Sequence, residues 1–442
     1  MKKLIFIVIT VLFIISSVNS QVKILTLKES MEIGFRNSKD LIISNSKVIG
    51  SGARIDETSS QMLPQLKFSA GYTRLSEISP FVVTLPFYSK PIELAPVFLD
   101  NYTFRVSVQQ PLFTGFRLSS LKNAAEFNRD AAEEDMVKDK NELAMNIEIS
   151  FWNFYKMKLL KNLFDEEVKQ AERHVEDTKN FLKNGMATQN DLLKLQVQYS
   201  NVRLQQIDAQ NNLDLARASF NKTIGLPMVN ETDIDTTRIQ IIENKYNLRE
   251  LVAEARSNRS ELRSLNLRIE ASNENLDAAR SGWFPNVSLT GNWYMSKPNQ
   301  RLQPPVDIFK GTWDVGISLS WDIWDWGNRQ AQSQEAEQIL IQTRTSYDQV
   351  KDAVELEVNQ NYMALIYDGE KLQVSRESIE QAEENYRSIQ DKYNVQLATS
   401  TDLIDAENSL LQARTNYMNA TIDYQLGKAK LEKAIGRAIY KF

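Results

Sequence analysis

The chain has 442 residues, with 52 Lys and Arg against 57 Asp and Glu, one His and no Cys. A formal net charge of −5 offers nothing to nucleic acid. The lack of Cys excludes a disulfide framework, and one His without Cys leaves no ordinary transition-metal donor set.

Residues 1–20 read as an export signal. Lys2 and Lys3 form a basic start, Leu4 to Ile15 is apolar except for Thr10, and small residues at Val18 and Ser20 precede a cut before Gln21. About twelve apolar residues are too few to cross a bilayer, which takes roughly twenty. Removing Lys2 and Lys3 takes the net charge from −5 to −7. No later segment reaches spanning length as a helix. The exported chain is therefore either soluble outside the cytoplasm or enters a membrane as strands.

After the signal the chain is written twice. "TLKESMEIGFRNSKDL" (26–41) and "NLRELVAEARSNRSEL" (247–262) open the two halves at an offset of 221. Thr26 with Glu29, and Asn247 with Glu250, have capping-box spacing, which predicts helices running to about 60 and 281. A Pro stops each helix in "LPQLKFSAGY" (63–72) and "FPNVSLTGNW" (284–293), and strict alternation follows. Phe68, Ala70 and Tyr72 share a face, as do Val287, Leu289, Gly291 and Trp293. A second run alternates Tyr102, Phe104, Val106 and Val108 with Thr103, Arg105 and Ser107. Its counterpart alternates Trp313, Val315, Ile317, Leu319 and Trp321 with Asp314, Gly316, Ser318 and Ser320. This gives four strands, at about 64–112 and 285–324, each the length of a tilted membrane strand. The Pro-rich stretches between them, roughly 75–100 and 295–311, predict irregular loops; their lengths differ by ten, which takes the offset to 211. Six of the seven Trp lie between Trp283 and Trp326. They suit either a bilayer-interface belt or the core of a soluble sandwich.

From Arg117 to Asn184 and from Arg329 to Asn394 there is no Pro, and Gly369 is the only Gly. Each stretch predicts a helix about 100 Å long, a coiled-coil element. Gly185 to Thr188 and Gln396 to Thr399 predict the turns where these helices reverse. Thr188 with Asp191, and Thr399 with Asp402, cap the return helices. The return helices carry unbroken three-four seams: Leu192, Leu195, Tyr199, Val202, Gln206, Ala209, Leu213, Ala216 and Phe220 in the first, and Leu403, Ala406, Leu410, Ala413, Tyr417, Ala420, Tyr424, Gly427, Leu431 and Ala434 in the second. Alternating large and small knobs permit close packing. Further apolar residues off the seam, such as Val197, Leu204, Ile404 and Leu411, ask for more than one neighbouring helix. The organisation is a signal (1–20), a first repeat (21–230) and a second repeat (231–442). His174, mid-helix among Arg173, Glu176 and Asp177, reads as a solvated surface residue.

Four membrane strands cannot close a barrel, because open edges in lipid leave backbone groups unpaired. Two copies supply eight strands and three supply twelve; only the larger ring leaves an open bore. "QPLFTGFR" (110–117), "WDIWDWGNR" (321–329) and the tip motifs "ATQNDLL" and "ATSTDLI", in this order and duplicated, make the chain resemble the TolC family of outer-membrane efflux ducts over essentially its whole exported length.

The resemblance implies a mainly α fold with transmembrane β: a homotrimeric 12-stranded barrel in outer-membrane lipid, and a periplasmic α-barrel of long antiparallel coiled-coil helices. It implies a passive exit conduit for small toxic compounds, in a Gram-negative-type bacterium, driven by an inner-membrane pump or ABC transporter through a periplasmic adaptor (membrane fusion) protein. A type I protein-secretion duct and an exported coiled-coil scaffold are the alternatives. It implies no enzyme and no cofactor. Asp402 and Asp405 match the family's acidic pore constriction; Asp191 is their counterpart in the first half, where Lys194 replaces the second acid. Ala398 stands where the family's closing Arg is expected, and Gln396 where its turn Gly is. The adaptor-docking tips would be Gly185, Met186, Ala187 and Thr188 with Gln396, Leu397, Ala398 and Thr399.

Overall fold

The structure, a computed structural model, describes residues 23–87, 90–95, 97–235, 246–299 and 301–440. The export signal lies outside these residues. The chain divides into two compact units that each draw on both halves: residues 46–134 with 264–349, and the remainder.

The first unit holds the sheet. Strands β2 (Gln65–Arg74), β5 (Asp100–Phe113), β7 (Asn286–Lys297) and β8 (Lys310–Ser320) form one antiparallel sheet in the order β2-β5-β7-β8. The register is unbroken from Gln65↔Gln109 to Arg74↔Asp100 and from Asn286↔Ser320 to Ser296↔Lys310. Between β5 and β7 it shifts once, beside Pro111, where a ladder donor is missing. Among the described residues nothing pairs with the outer edges of β2 and β8. The predicted loop after β2 is more regular than expected: Phe81–Val83 (β3) and Ile92–Ala95 (β4) pair as a short hairpin. β8 stops at Ser320, short of the expected 324.

β5 and β8, the second sheet strand of each half, turn into a long helix through two successive left-handed residues: Gly115 (φ 60°) with Phe116 (φ 68°), and Trp326 (φ 58°) with Gly327 (φ 83°). The two halves put their one Gly at different positions of the same corner. At Gly115 a Cβ would also lie 2.6 Å from the Ser281 carbonyl oxygen. At the second corner Asp325 accepts from the Gly327 and Arg329 backbone N–H groups, at 3.2 and 3.0 Å. The Arg329 guanidinium stacks over Trp283 at 4.7 Å. These corners are what "FTGF" and "WDWGN" encode.

The helices are α1 (Leu27–Asn37), α2 (Lys39–Ser60), α3 (Arg117–Lys183), α4 (Gln189–Thr223), α5 (Leu248–Asn258), α6 (Ser260–Arg280), α7 (Asn328–Asn394) and α8 (Ser400–Ala434). α3 and α7 each have 67 residues, and α4 and α8 each have 35. The single helices expected over 26–60 and 247–281 are each broken once, at Ser38 (ψ 120°) and Arg259 (ψ 119°). The reason is local docking. Asn37 donates from Nδ2 to the Ile224 carbonyl at 3.3 Å, where α4 ends on Gly225 (φ 73°). Arg259 donates to the Ala434 carbonyl at 3.2 Å, where α8 ends beside Gly436 (φ 78°). A Cβ on Gly436 would meet Asn258 backbone at 2.7 Å, so the joint needs glycine on both counts.

Thr26 and Glu29 form the full capping box. At Asn247 only half forms: its side chain accepts from the Arg249 N–H at 3.1 Å, while Glu250 takes the Asn247 side-chain amide and not its backbone N–H. The core of the second unit is aromatic. Phe151, Trp152, Phe154 and Tyr155 of α3 pack on Phe220 of α4, under Leu25 and Ile234 of the parallel pair β1 (Lys23–Leu25) and β6 (Thr232–Ile234). Along both return helices the predicted seams are buried, from Leu192 to Phe220 and from Leu403 to Ala434, except that Tyr199, Gln206 and Tyr417 are half-buried. Val197 and Leu204 lie exposed off the seam, whereas Ile404 and Leu411 are half-buried.

Candidate functional site

Two regions carry the chemistry expected from the sequence: the sheet and the tip turns.

The sheet separates its two faces by residue type. Across the four strands, Leu66, Val108, Gly291 and Val315 make one row on one face; Phe68, Val106, Trp293 and Trp313 make the next; Ala70, Phe104, Met295 and Gly311 make a third. The opposite face repeats Lys67, Ser107, Asn292 and Asp314; Ser69, Arg105, Tyr294 and Thr312; Gly71, Thr103, Ser296 and Lys310. The apolar face is not covered by its own unit: Phe68 is 65 %, Trp313 70 % and Ile317 71 % exposed. That argues against a soluble sandwich, whose inner faces must be buried. The outer end of this face carries Tyr72, Arg74, Asp100, Tyr102 and Lys297, with Arg74 on Asp100 at 3.0 Å and the Tyr72 hydroxyl on the same oxygen at 2.8 Å. Aromatic and charged groups together mark an interface with water. No helix among the described residues is long and apolar enough to cross a membrane.

At the tips, both long helices end in the same Schellman turn. The Met186 N–H bonds the Phe181 carbonyl at 2.8 Å and the Leu397 N–H bonds the Lys392 carbonyl at 2.7 Å. The turn needs a left-handed residue, supplied by Gly185 (φ 72°) and Gln396 (φ 65°). Gln396 thus takes the glycine conformation without being glycine. Both capping boxes with Asp in place of Glu are present: Asp191 accepts from Thr188 N–H and Oγ1 at 3.0 and 2.6 Å, and Asp402 from Thr399 N–H and Oγ1 at 2.8 and 2.7 Å. These bonds hold both carboxyls below the usual range: the Thr188 side chain then its backbone for Asp191, the Thr399 backbone then its side chain for Asp402. Both stay ionised at neutral pH.

The first turns of α4 and α8 are tied to one another. Asp191 accepts from Ser400 Oγ at 2.8 Å, and Lys194 donates to Thr401 Oγ1 at 3.0 Å. Sequence reasoning missed Ser400 and Thr401, because the repeat aligns them with Gln189 and Asn190 instead of pairing the halves across it. Asp405 is exposed, and its carboxylate has no partner among the described residues. Of the docking residues, Gly185, Met186, Thr188, Gln396, Leu397 and Thr399 are exposed, Leu397 at 78 %; Ala187 and Ala398 are half-buried, Ala398 against the core of Leu195, Tyr393 and Leu403.

His174 corrects the sequence reading. It is buried (5 % exposed), with Nε2 at 2.8 Å from the carboxylate of Glu407 and 3.3 Å from the Tyr386 hydroxyl. Gln170 donates to the same carboxylate at 3.1 Å, and Arg414 reaches Glu167 at 3.6 Å. Burial, then the neighbouring Glu407, pushes Glu167 up to about 7. The acidic and basic neighbours of His174 in sequence lie on other faces of α3; its partners are on α7 and α8.

The outer membrane efflux protein family model matches residues 36–226 and again 251–437. The outer membrane protein TolC of Vibrio cholerae is 20% identical over 386 residues, covering 86% of this chain and 84% of that one. Among solved structures, CusC, described for transmembrane channel formation, superposes with a TM-score of 0.78 at 17% identity, covering 93% of this chain and 92% of its own. The outer membrane protein VceC of Vibrio cholerae gives 0.76 at 16%, covering 93% and 96%. The chain belongs to the outer membrane efflux protein family. Its fold is TolC-like, and it is an efflux protein of the Gram-negative outer membrane with its helices on the periplasmic side.

Proposed function

We propose that three copies of this chain assemble into one passive exit duct. Each copy gives four strands to a 12-stranded barrel and its long helix pairs to a periplasmic tunnel. The observation that carries the reading is the sheet: an exposed apolar face, a polar opposite face and two edges unpaired among the described residues. In lipid each unpaired edge group costs several kcal/mol, so the edges of β2 and β8 require partner strands. Exposed apolar residues on α4, Leu193, Val197, Leu204 and Leu215, ask for a neighbouring helix in the same way. Purification in detergent with mass measurement tests this: a trimer is expected, and a water-soluble monomer contradicts it.

The duct contains no motor in this reading; an inner-membrane pump drives it through a periplasmic adaptor, and small toxic compounds are the cargo. Asp402, Asp405 and Asp191 ring the narrow end and select cations by concentrating negative potential. The exposed turns at Met186 and Leu397 seat the adaptor. Met186→Asp with Leu397→Asp is expected to abolish adaptor cross-linking while leaving the trimer intact. Unchanged cross-linking contradicts the assignment.

A further inference from the structure

The charge on the polar face of the sheet is opposite to that of the chain. The whole sequence carries −5. Across the polar face of the four strands the bases are Lys67, Arg105 and Lys310, against the single acid Asp314. A fourth base is brought in from the connection between β7 and β8: Arg301 donates to Asp314 Oδ2 at 3.0 Å and to the Trp313 carbonyl at 2.9 Å.

The two arginines are held, not loose. Arg105 donates from Nε and Nη2 to Asn292 Oδ1, at 3.1 and 2.7 Å, and Asn292 donates to Asp314 Oδ1 at 2.7 Å. The ring of Tyr294 sits within 5.4 Å of the Arg105 guanidinium and 6.0 Å of that of Arg301. One carboxylate therefore serves Arg301, while among the described residues Arg105 has only a neutral amide and a ring as partners. Among the described residues no carboxylate pairs with it and nothing bonds its Nη1, which can meet an oxyanion. A planar guanidinium held at a fixed angle is suited to carboxylate, phosphate or sulfonate.

We infer that the strand segment of the bore is selective for anionic solutes, with Arg105 and Lys67 as the specificity-determining residues and Arg301 as the group that neutralises Asp314. This rests on the reading that the polar face lines the bore of a closed trimer. Each copy contributes a net surplus of three positive charges there, so a closed ring has three basic clusters around one lumen. Rings of Arg and Lys favour anions where rings of Asp favour cations. The acidic tip and the basic sheet then act as separate filters, and the permeant class is set by both.

The test is the reversal potential of the full-length protein in a planar bilayer under a KCl gradient. Lys67→Gln with Arg105→Gln is expected to shift the chloride-to-potassium permeability ratio several-fold toward potassium. Asp402→Asn with Asp405→Asn is expected to shift it toward chloride. A reversal potential that does not move in the Lys67 and Arg105 variant overturns the inference and leaves the duct intact. If an intact wild-type trimer conducts nothing, the duct reading itself is in error. Calorimetric titration of the detergent-solubilised protein with pyrophosphate then decides the site: binding lost in the double variant supports it, and equal or absent binding overturns it.

Discussion

At the scale of single residues, the buried cluster around His174 is where the sequence was least legible. Glu407, which it touches, lies 233 positions away. Nothing in the local pattern of α3 announces it: Arg173, Glu176 and Asp177 read as a charged surface, and the positions three and four away, Gln170, Ala171, Asp177 and Thr178, are too mixed in type to mark a buried face. Glu167 gives this cluster a pH signature. Its folded pKa of about 7 stands above the ordinary 4.5, so the folded state holds a proton that the unfolded chain has released. The stabilising contribution is complete below about 4.5 and lost as pH rises through 7. Glu167→Gln should therefore raise the melting stability at pH 8 by at most about 3 kcal/mol, an upper bound from the size of the shift, and leave it nearly unchanged near pH 4. Equal loss at both pH values in thermal melts contradicts this. By contrast, the capping residues Thr188, Asp191, Thr399 and Asp402 were legible because a cap is a local device with a fixed spacing.

At the scale of elements, period and punctuation told most of what was needed. The long helices ended and the return helices began where Gly185, Gln396 and the Thr caps predicted, and the seams were buried as spaced. The breaks at Ser38 and Arg259 were not visible, since no Pro or Gly marks them; they follow from docking on helix ends far away in sequence. Alternation identified the strands, and the register makes a sharp prediction from neighbours on opposite faces. Ile317→Lys places a charge on the apolar face and should cost about 2–4 kcal/mol of folding into vesicles, whereas Ser318→Lys should cost about 0–1. Equal costs for the two variants, measured by denaturant titration in lipid, contradict the assignment of faces.

At the scale of the whole molecule, the duplication explains why one chain writes each turn and corner twice. The family model's two matches repeat that pattern. What the sequence could not show is how the compact units cut across both halves, because strand order β2-β5-β7-β8 joins residues some two hundred positions apart. The charge reversal on the polar face was equally hidden, since Lys67, Arg105 and Arg301 converge only through the register. Closure of the sheet by sister copies is the central claim, and the natural absence of Cys makes it directly measurable. Ser69→Cys on β2 is paired in turn with Cys at Thr312, Gly316 or Ser318 on β8, and the protein is oxidised in the membrane. Adjacent copies in register bring one of these pairs within disulfide reach, roughly 4–7 Å between Cα atoms. The account predicts covalent dimers and trimers on a denaturing gel for at least one pair, reversed by reductant. A chain that stays monomeric for every pair would contradict it.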